Sequence, residues 1–320
     1  MQNLRFGIMG AGGIAEKFAQ AVSMTPTASL SAVASKSPEK AAAFAERNGV
    51  KTACASYEDM LSRSDVDVVY IATTHNFHYD NIKMCLEAGK HVVCEKPMVL
   101  TEKDARELFG IAAEKKLFLM EAMWSRFLPS VRQAKKWITE GKIGAVQSVS
   151  AVIGFKSTRD PESRLLNPAL AGGAMYDIGV YPIEIISYLV GEKITGSVGF
   201  CRRNPQTGVD ENNTFILRFE TCDAAVQCLF TSAPKEYVII NGENGIIEIP
   251  SASVNDECFL YNGRKELSGH FKERFPSGNG FVFELREVID CIVSGKLSSD
   301  VMPPEATIEC ARVFDEILRK

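Results

Sequence analysis

Apolar residues come in short blocks through the first third of the chain and in longer alternating runs after it. The first block, Leu4, Phe6, Ile8 and Met9, breaks at once into Gly10-Ala11-Gly12-Gly13-Ile14-Ala15, and helical spacing then runs to residue 24. This pattern predicts a buried parallel strand, a sharp turn and a helix over 13–24. Further blocks stand at Leu30–Ser35, within 51–56, at Val66–Thr73, His91–Cys94 and Leu117–Met123. Between them the spacing predicts helices over 38–48, 57–61, 79–88 and 101–115, with Pro38 at a helix start and Gly49 and Gly89 at helix ends. About six strands alternating with helices predict an α/β fold with a doubly wound parallel sheet, of the Rossmann kind, over residues 1–122.

Beyond 123 the periodicity changes. After a helix over 129–140, alternating runs predict strands near 145–155, 194–203, 213–220, 224–232, 235–241 and 245–249, with helices near 179–190, 278–294 and 303–319. Strands without helices between them predict a large, open, mostly antiparallel sheet in an α+β domain over 123–320. Such a sheet with an apolar open face calls for a partner, and a two-fold homodimer is the simplest solution.

Composition narrows the class. At 320 residues, with 46% hydrophobic and 24% charged residues, the chain suits two globular domains. A net charge of −4 and the lack of a Lys/Arg run argue against nucleic acid. No apolar stretch nears the roughly 20 residues of a membrane span, and a strand at the very start argues against a signal peptide. Nine scattered cysteines without a CxxC pair predict free, buried thiols in a reducing cytoplasm. The four histidines show no metal-ligand spacing, so no metal is expected.

The turn after the first strand carries the first candidate chemistry. A strand, then Gly10-x-Gly12-x-x-Ala15, then a helix is a dinucleotide fingerprint. Gly10 permits the turn, Gly12 clears room for a pyrophosphate, and Ala15 lets helix and sheet pack closely. Ala11, Gly13 and Ile14 complete the loop, whose free N–H groups would meet the phosphates. Where an NAD-specific site places an acid, this chain has Ser35-Lys36-Ser37. A cation and hydroxyls there favour NADP(H), with NAD possible if Lys36 only decorates a loop. The loop of Thr73, Thr74, Asn76 and His78 follows a central strand and should lie along the cofactor; His78 either caps a helix or lines the site. Glu95 and Lys96, a charged pair ending an apolar strand, are also expected there.

In the second half, Gly172-Gly173-Ala174-Met175-Tyr176-Asp177-Ile178-Gly179-Val180-Tyr181 has glycines that admit a ligand, and helical spacing puts Asp177 and Tyr181 on one face. Tyr181 is either a substrate contact or a core aromatic. Arg159 and Arg164 would bind a hydroxyl, a carboxylate or water.

Taken together, the fingerprint, Cys94-Glu95-Lys96-Pro97 and Gly172-Gly173-x-x-x-Asp177-x-Gly179 resemble the Gfo/Idh/MocA oxidoreductase family over nearly the whole chain. Glu121–Pro129 and Tyr176–Tyr181 resemble the branch containing dimeric dihydrodiol dehydrogenase and NADP-dependent D-xylose dehydrogenase. The resemblance implies that Lys96 holds the substrate oxygen, that Asp177 orients the substrate, and that Tyr181 replaces the His most members carry. It further implies substrate contacts from Trp124, Arg126 and Phe155, and a cis bond between Lys96 and Pro97. A Tyr titrates near 10 and is a weak base at neutral pH. A neighbouring Lys ammonium would favour its phenolate, which makes Lys96 and Tyr181 a catalytic pair. The expected reaction is hydride transfer between NADP(H) and a secondary carbinol or carbonyl of a sugar, polyol or trans-dihydrodiol. A non-catalytic NAD(P)-binding sensor on the same fold is the competing class.

Overall fold

The computed structural model describes residues 3–158 and 160–318; Arg159 lies outside the described residues. Two compact units form, and the chain passes between them more than once. The first holds Met1–Val99, Lys103–Trp124 and Pro276–Pro304, and the second Leu100–Glu102, Ser125–Phe275 and Glu305–Lys320.

In the first unit, strands β1 (Leu4–Met9), β2 (Ala28–Ala34), β3 (Thr52–Ala53), β4 (Val68–Ile71), β5 (His91–Glu95) and β6 (Leu119–Ala122) make one sheet in the order β3-β2-β1-β4-β5-β6. Every pairing is parallel. The crossovers carry helices α1 (Gly13–Ser23), α2 (Pro38–Asn48), α3 (Tyr57–Ser62), α4 (His78–Glu87) and α5 (Glu102–Lys115). Strand order reverses direction between β1 and β4, the switch point beyond which such sheets bind ligands. Phe6, Ile8 and Met9 on β1 and all of β4 are buried, as a sheet covered on both faces requires.

The second unit is built on an eight-stranded sheet. Its strands are β7 (Val146–Gly154), β8 (Gly196–Arg203), β9 (Asp210–Arg218), β10 (Asp223–Leu229), β11 (Tyr237–Gly242), β12 (Gly245–Ile249), β13 (Glu257–Asn262) and β14 (Leu267–Lys272), in the order β14-β13-β12-β11-β7-β10-β9-β8. Only β7 and β10 pair in parallel; the other neighbours are antiparallel. Helices α6 (Pro129–Thr139), α7 (Val180–Val190) and α9 (Pro304–Leu318) belong here. On β10, Ala224, Val226 and Cys228 are buried and alternate with exposed Asp223, Ala225 and Gln227, so one face is packed and one is open.

Three features depart from the sequence reading. Helix α8 (Phe281–Val293) belongs with the first unit, where Asn279 just before it donates to the Lys17 carbonyl of α1 at 2.8 Å. Its apolar face of Phe281, Val282, Leu285, Val288 and Ile289 foretells burial but not the surface that buries it. Strands β13 and β14 were not expected: β14 is an edge strand with no buried position, so it lacks the alternation that marks a half-buried strand. The helix expected from 179 is preceded by one wide π turn, Met175–Gly179. Among the described residues no helix is long and apolar enough to cross a membrane, and all nine cysteines are free.

Candidate active site

In the first unit the fingerprint is an open cradle. Gly10 adopts φ +101°, and Gly12 is the N-cap of α1 with no side chain capping the helix. At Gly12 and Gly13 an added β-carbon would meet nothing within 4 Å. The unfilled space and the uncapped N–H groups of the first turn fit a pyrophosphate. Ala15 is fully buried, where the helix packs closely; Ala11 and Ile14 are half-buried beside the cradle.

At the end of β2, Ser35 accepts the Ser37 N–H at 3.3 Å and Ser37 caps α2. The exposed Lys36 ammonium sits 3.3 Å from the ring centroid of Phe77. Phe77, to which the sequence reading assigned no role, thereby fixes the cation by its ring quadrupole.

The loop after β4 is bonded to itself. Thr74 donates to Asn76 at 2.7 Å, and Asn81 to the Thr73 hydroxyl at 3.0 Å. His78 is buried, with Nδ1 2.9 Å from the Pro97 carbonyl and Nε2 3.0 Å from that of Thr73. Burial lowers its pKa, against the raising effect of the two carbonyls, and the ring links the two loops.

The end of β5 is anchored by carboxylates. The Tyr70 hydroxyl donates to Glu95, whose other oxygen accepts the Lys96 N–H at 3.2 Å. Glu121 accepts the Met98 N–H at 3.0 Å. The backbone on both sides of Lys96 and Pro97 is thus held, and the bond between them is cis. Glu284 of α8 is buried with neither carboxyl oxygen hydrogen-bonded, and burial together with the Glu95 and Glu121 charges pushes its pKa well up. Trp124 stacks on Phe281 at 5.3 Å. Signals for these partners were the lone Tyr70 in an apolar run and the lone Glu284 on an apolar helix face.

The second unit holds the other candidates. Asp177 lies in the π turn, 6% exposed, and Arg164 donates to its Oδ1 at 2.9 Å. Of the uses considered for Arg164, the structure supports binding a carboxylate, and that carboxylate is the protein's own. Tyr181 follows in the first turn of α7. Phe155 is 38% exposed and lies 5.1 Å from Phe230.

Arg126 is corrected from a substrate contact to a buried ion pair. It is 2% exposed and bonds Glu184 of α7 at 2.6 Å, with its guanidinium 5.6 Å from the Tyr188 ring. Burial raises the Glu184 pKa while Arg126 opposes it. A local motif does not reveal that an arginine turns inward when its acid is 58 residues further along.

Comparison with known proteins identifies the arrangement. Residues 4–123 match the model described as "Oxidoreductase family, NAD-binding Rossmann fold", and residues 131–248 match the Gfo/Idh/MocA C-terminal domain. The chain belongs to the Gfo/Idh/MocA oxidoreductase family. It is 32% identical to the trans-1,2-dihydrobenzene-1,2-diol dehydrogenase of Xenopus tropicalis, over 99% of this chain and 97% of the relative. Among solved structures, an aldose-aldose oxidoreductase from Caulobacter crescentus is similar with TM-score 0.90 and 26% identity, over 99% of this chain and 97% of that one. A 3-ketoreductase from Actinomadura kijaniata, crystallised with TDP-benzene and NADP, is similar with TM-score 0.84 and 25% identity, over 99% and 97%. This family member is therefore an oxidoreductase with an NAD(P)-binding Rossmann unit, in the branch expected from its motifs.

Proposed function

We propose that this chain transfers a hydride between NADP(H) and a secondary carbinol or carbonyl of a sugar, polyol or trans-dihydrodiol. The observation that carries the reading is that the first unit keeps an open phosphate cradle and a braced Lys96, while the second keeps Asp177 and Tyr181 one turn apart. The diol and sugar oxidoreductases that it resembles over nearly full length support the substrate class.

Gly10, Ala11, Gly12, Gly13, Ile14 and Ala15 would hold the pyrophosphate, Ser35 and Lys36 the ribose end, and the Thr73–His78 loop, Glu95 and Lys96 the nicotinamide end. The bound nicotinamide supplies the hydride acceptor or donor. Tyr181 is the general acid/base that takes the hydroxyl proton during oxidation and returns it during reduction. Lys96 steadies negative charge developing on the substrate oxygen. Asp177, fixed by Arg164, orients the substrate. Trp124 and Phe155 supply apolar wall.

We also propose a cytoplasmic homodimer formed through the second unit's sheet. Supporting it are the exposed Val198 and Phe200 on β8 and Leu267 on β14, and half-exposed Tyr237, Ile239, Phe259 and Tyr261 between them. Light scattering at working concentration reads the mass directly, and a monomer contradicts this part.

A coupled NADP⁺ reduction screen over aldoses, inositols and diols tests the reaction. With an accepted substrate, Tyr181→Phe is expected to lower kcat by roughly 10²–10⁴, and Lys96→Met to do likewise in a folded protein. No turnover of any such substrate, or full turnover by Lys96→Met, overturns the reading.

A further inference from the structure

Two glycines of the second motif are required by what stands beneath them. A β-carbon on Gly173, at φ +133°, would overlap Oδ1 of Asp210. One on Gly179 would come 2.9 Å from Sδ of Met175 and 3.2 Å from Sγ of Cys228. Asp210 opens β9 and Cys228 lies on β10, so the π turn Met175–Gly179 sits on two adjacent strands.

The contact at Asp210 is a polar one. Its Oδ2 accepts the Met175 N–H at 2.6 Å and the Asn213 side-chain amide at 2.6 Å. The same amide reaches Cys228 Sγ at 3.4 Å. Asp210 is 3% exposed and Asn213 fully buried. A buried carboxylate without hydrogen-bond donors is costly; here its donors are the first N–H of the π turn and an amide on its own strand. Wide π turns persist only where surroundings hold them, and they gather at functional sites.

We infer that Asp210 and Asn213 form a buried seat that fixes the π turn, making both positioning residues for Asp177 and for Tyr181. Neither touches the reacting atoms in this scheme. The inference rests on the reading of Asp177 and Tyr181 given above. With the seat removed, the turn is free to relax toward an ordinary α-turn. That relaxation rotates Asp177 relative to Tyr181 while the sheet and the cofactor unit stay intact.

The test is steady-state kinetics on the full chain with an accepted diol or sugar, beside a fluorescence titration of NADPH. Asp210→Ala is expected to lower kcat roughly 10- to 100-fold, the scale of an ångström-sized misplacement, with NADPH affinity unchanged. Asp210→Asn keeps an oxygen acceptor and is expected to restore most of the rate. If Asp210→Ala does not fold, Asn213→Ala carries the test, with the same expected split between kcat and NADPH affinity. Full kcat in these variants overturns the inference, as does equal loss of rate and NADPH affinity. Tyr181→Phe in the same assay separates the two claims. If it keeps the parent rate, the functional reading falls and takes the seat's role with it. If it loses rate while the seat variants do not, only the seat falls.

Discussion

A β-carbon at Gly10 would stand 2.8 Å from the carbonyl oxygen of Ala72, so the turn leaving β1 passes hard against the end of β4. With φ at +101°, any side chain there is strained as well as crowded. Gly12 differs: its φ of −95° suits any residue and the space above it is open.

This contrast separates stability from binding. Gly10→Ala is expected to lower Tm and NADPH affinity together, by about 1–3 kcal/mol of backbone strain at least. Gly12→Ala is expected to keep the parent Tm and lose NADPH affinity, since its methyl fills the cradle. Differential scanning fluorimetry with and without NADPH reads both. An unchanged NADPH-induced shift in Gly12→Ala contradicts the cradle.

In the proposed reading the ammonium of Lys36, held above Phe77, meets a 2′-phosphate. Lys36→Ala is expected to weaken NADPH roughly 10- to 100-fold, the value of a charge-assisted bond, and to leave NADH nearly unchanged. Parallel titrations with the two cofactors decide it; equal losses would show that Lys36 does not discriminate between them.

Glu284 predicts a dependence on pH. Its folded pKa is pushed well above the ordinary 4.5 by burial and by Glu95 and Glu121; Tyr70, donating to Glu95, and the buried thiol of Cys94 are further titratable groups there. A raised folded value means that its contribution to stability is complete below about 4.5 and drains away as pH rises toward the folded pKa. Glu284→Gln removes that loss. The variant's stability relative to the parent is therefore expected to improve between pH 5 and 8, by at most about 1.4 kcal/mol per pH unit. Urea melts across that range test it; a constant difference would mean that Glu284 is already ionised in the folded protein.

Legibility in the sequence followed the range of each interaction. The six strands of the first sheet, the fingerprint and the capped start of α2 are local patterns, and their residues announced them. Glu95 could be seen to need a partner, because a carboxylate ending an apolar strand is costly alone; that the partners are Tyr70 and the next N–H is a tertiary fact. Arg126 looked like a ligand contact because nothing nearby names Glu184. The π turn was hidden because its cause, Asp210, lies 35 residues beyond the Met175 N–H that it accepts. The return of α8 to the first unit was hidden for the same reason.

The placement of His78 has one more consequence. A neutral imidazole carries a single N–H, yet both of its nitrogens face carbonyl oxygens. While the ring is neutral, only one of the two loops, at Thr73 or at Pro97, receives that hydrogen at a time, and tautomer exchange alone moves it from one to the other. The segments flanking β4 and β5 thus share one proton between them, and whichever loop lacks it is the one held less firmly.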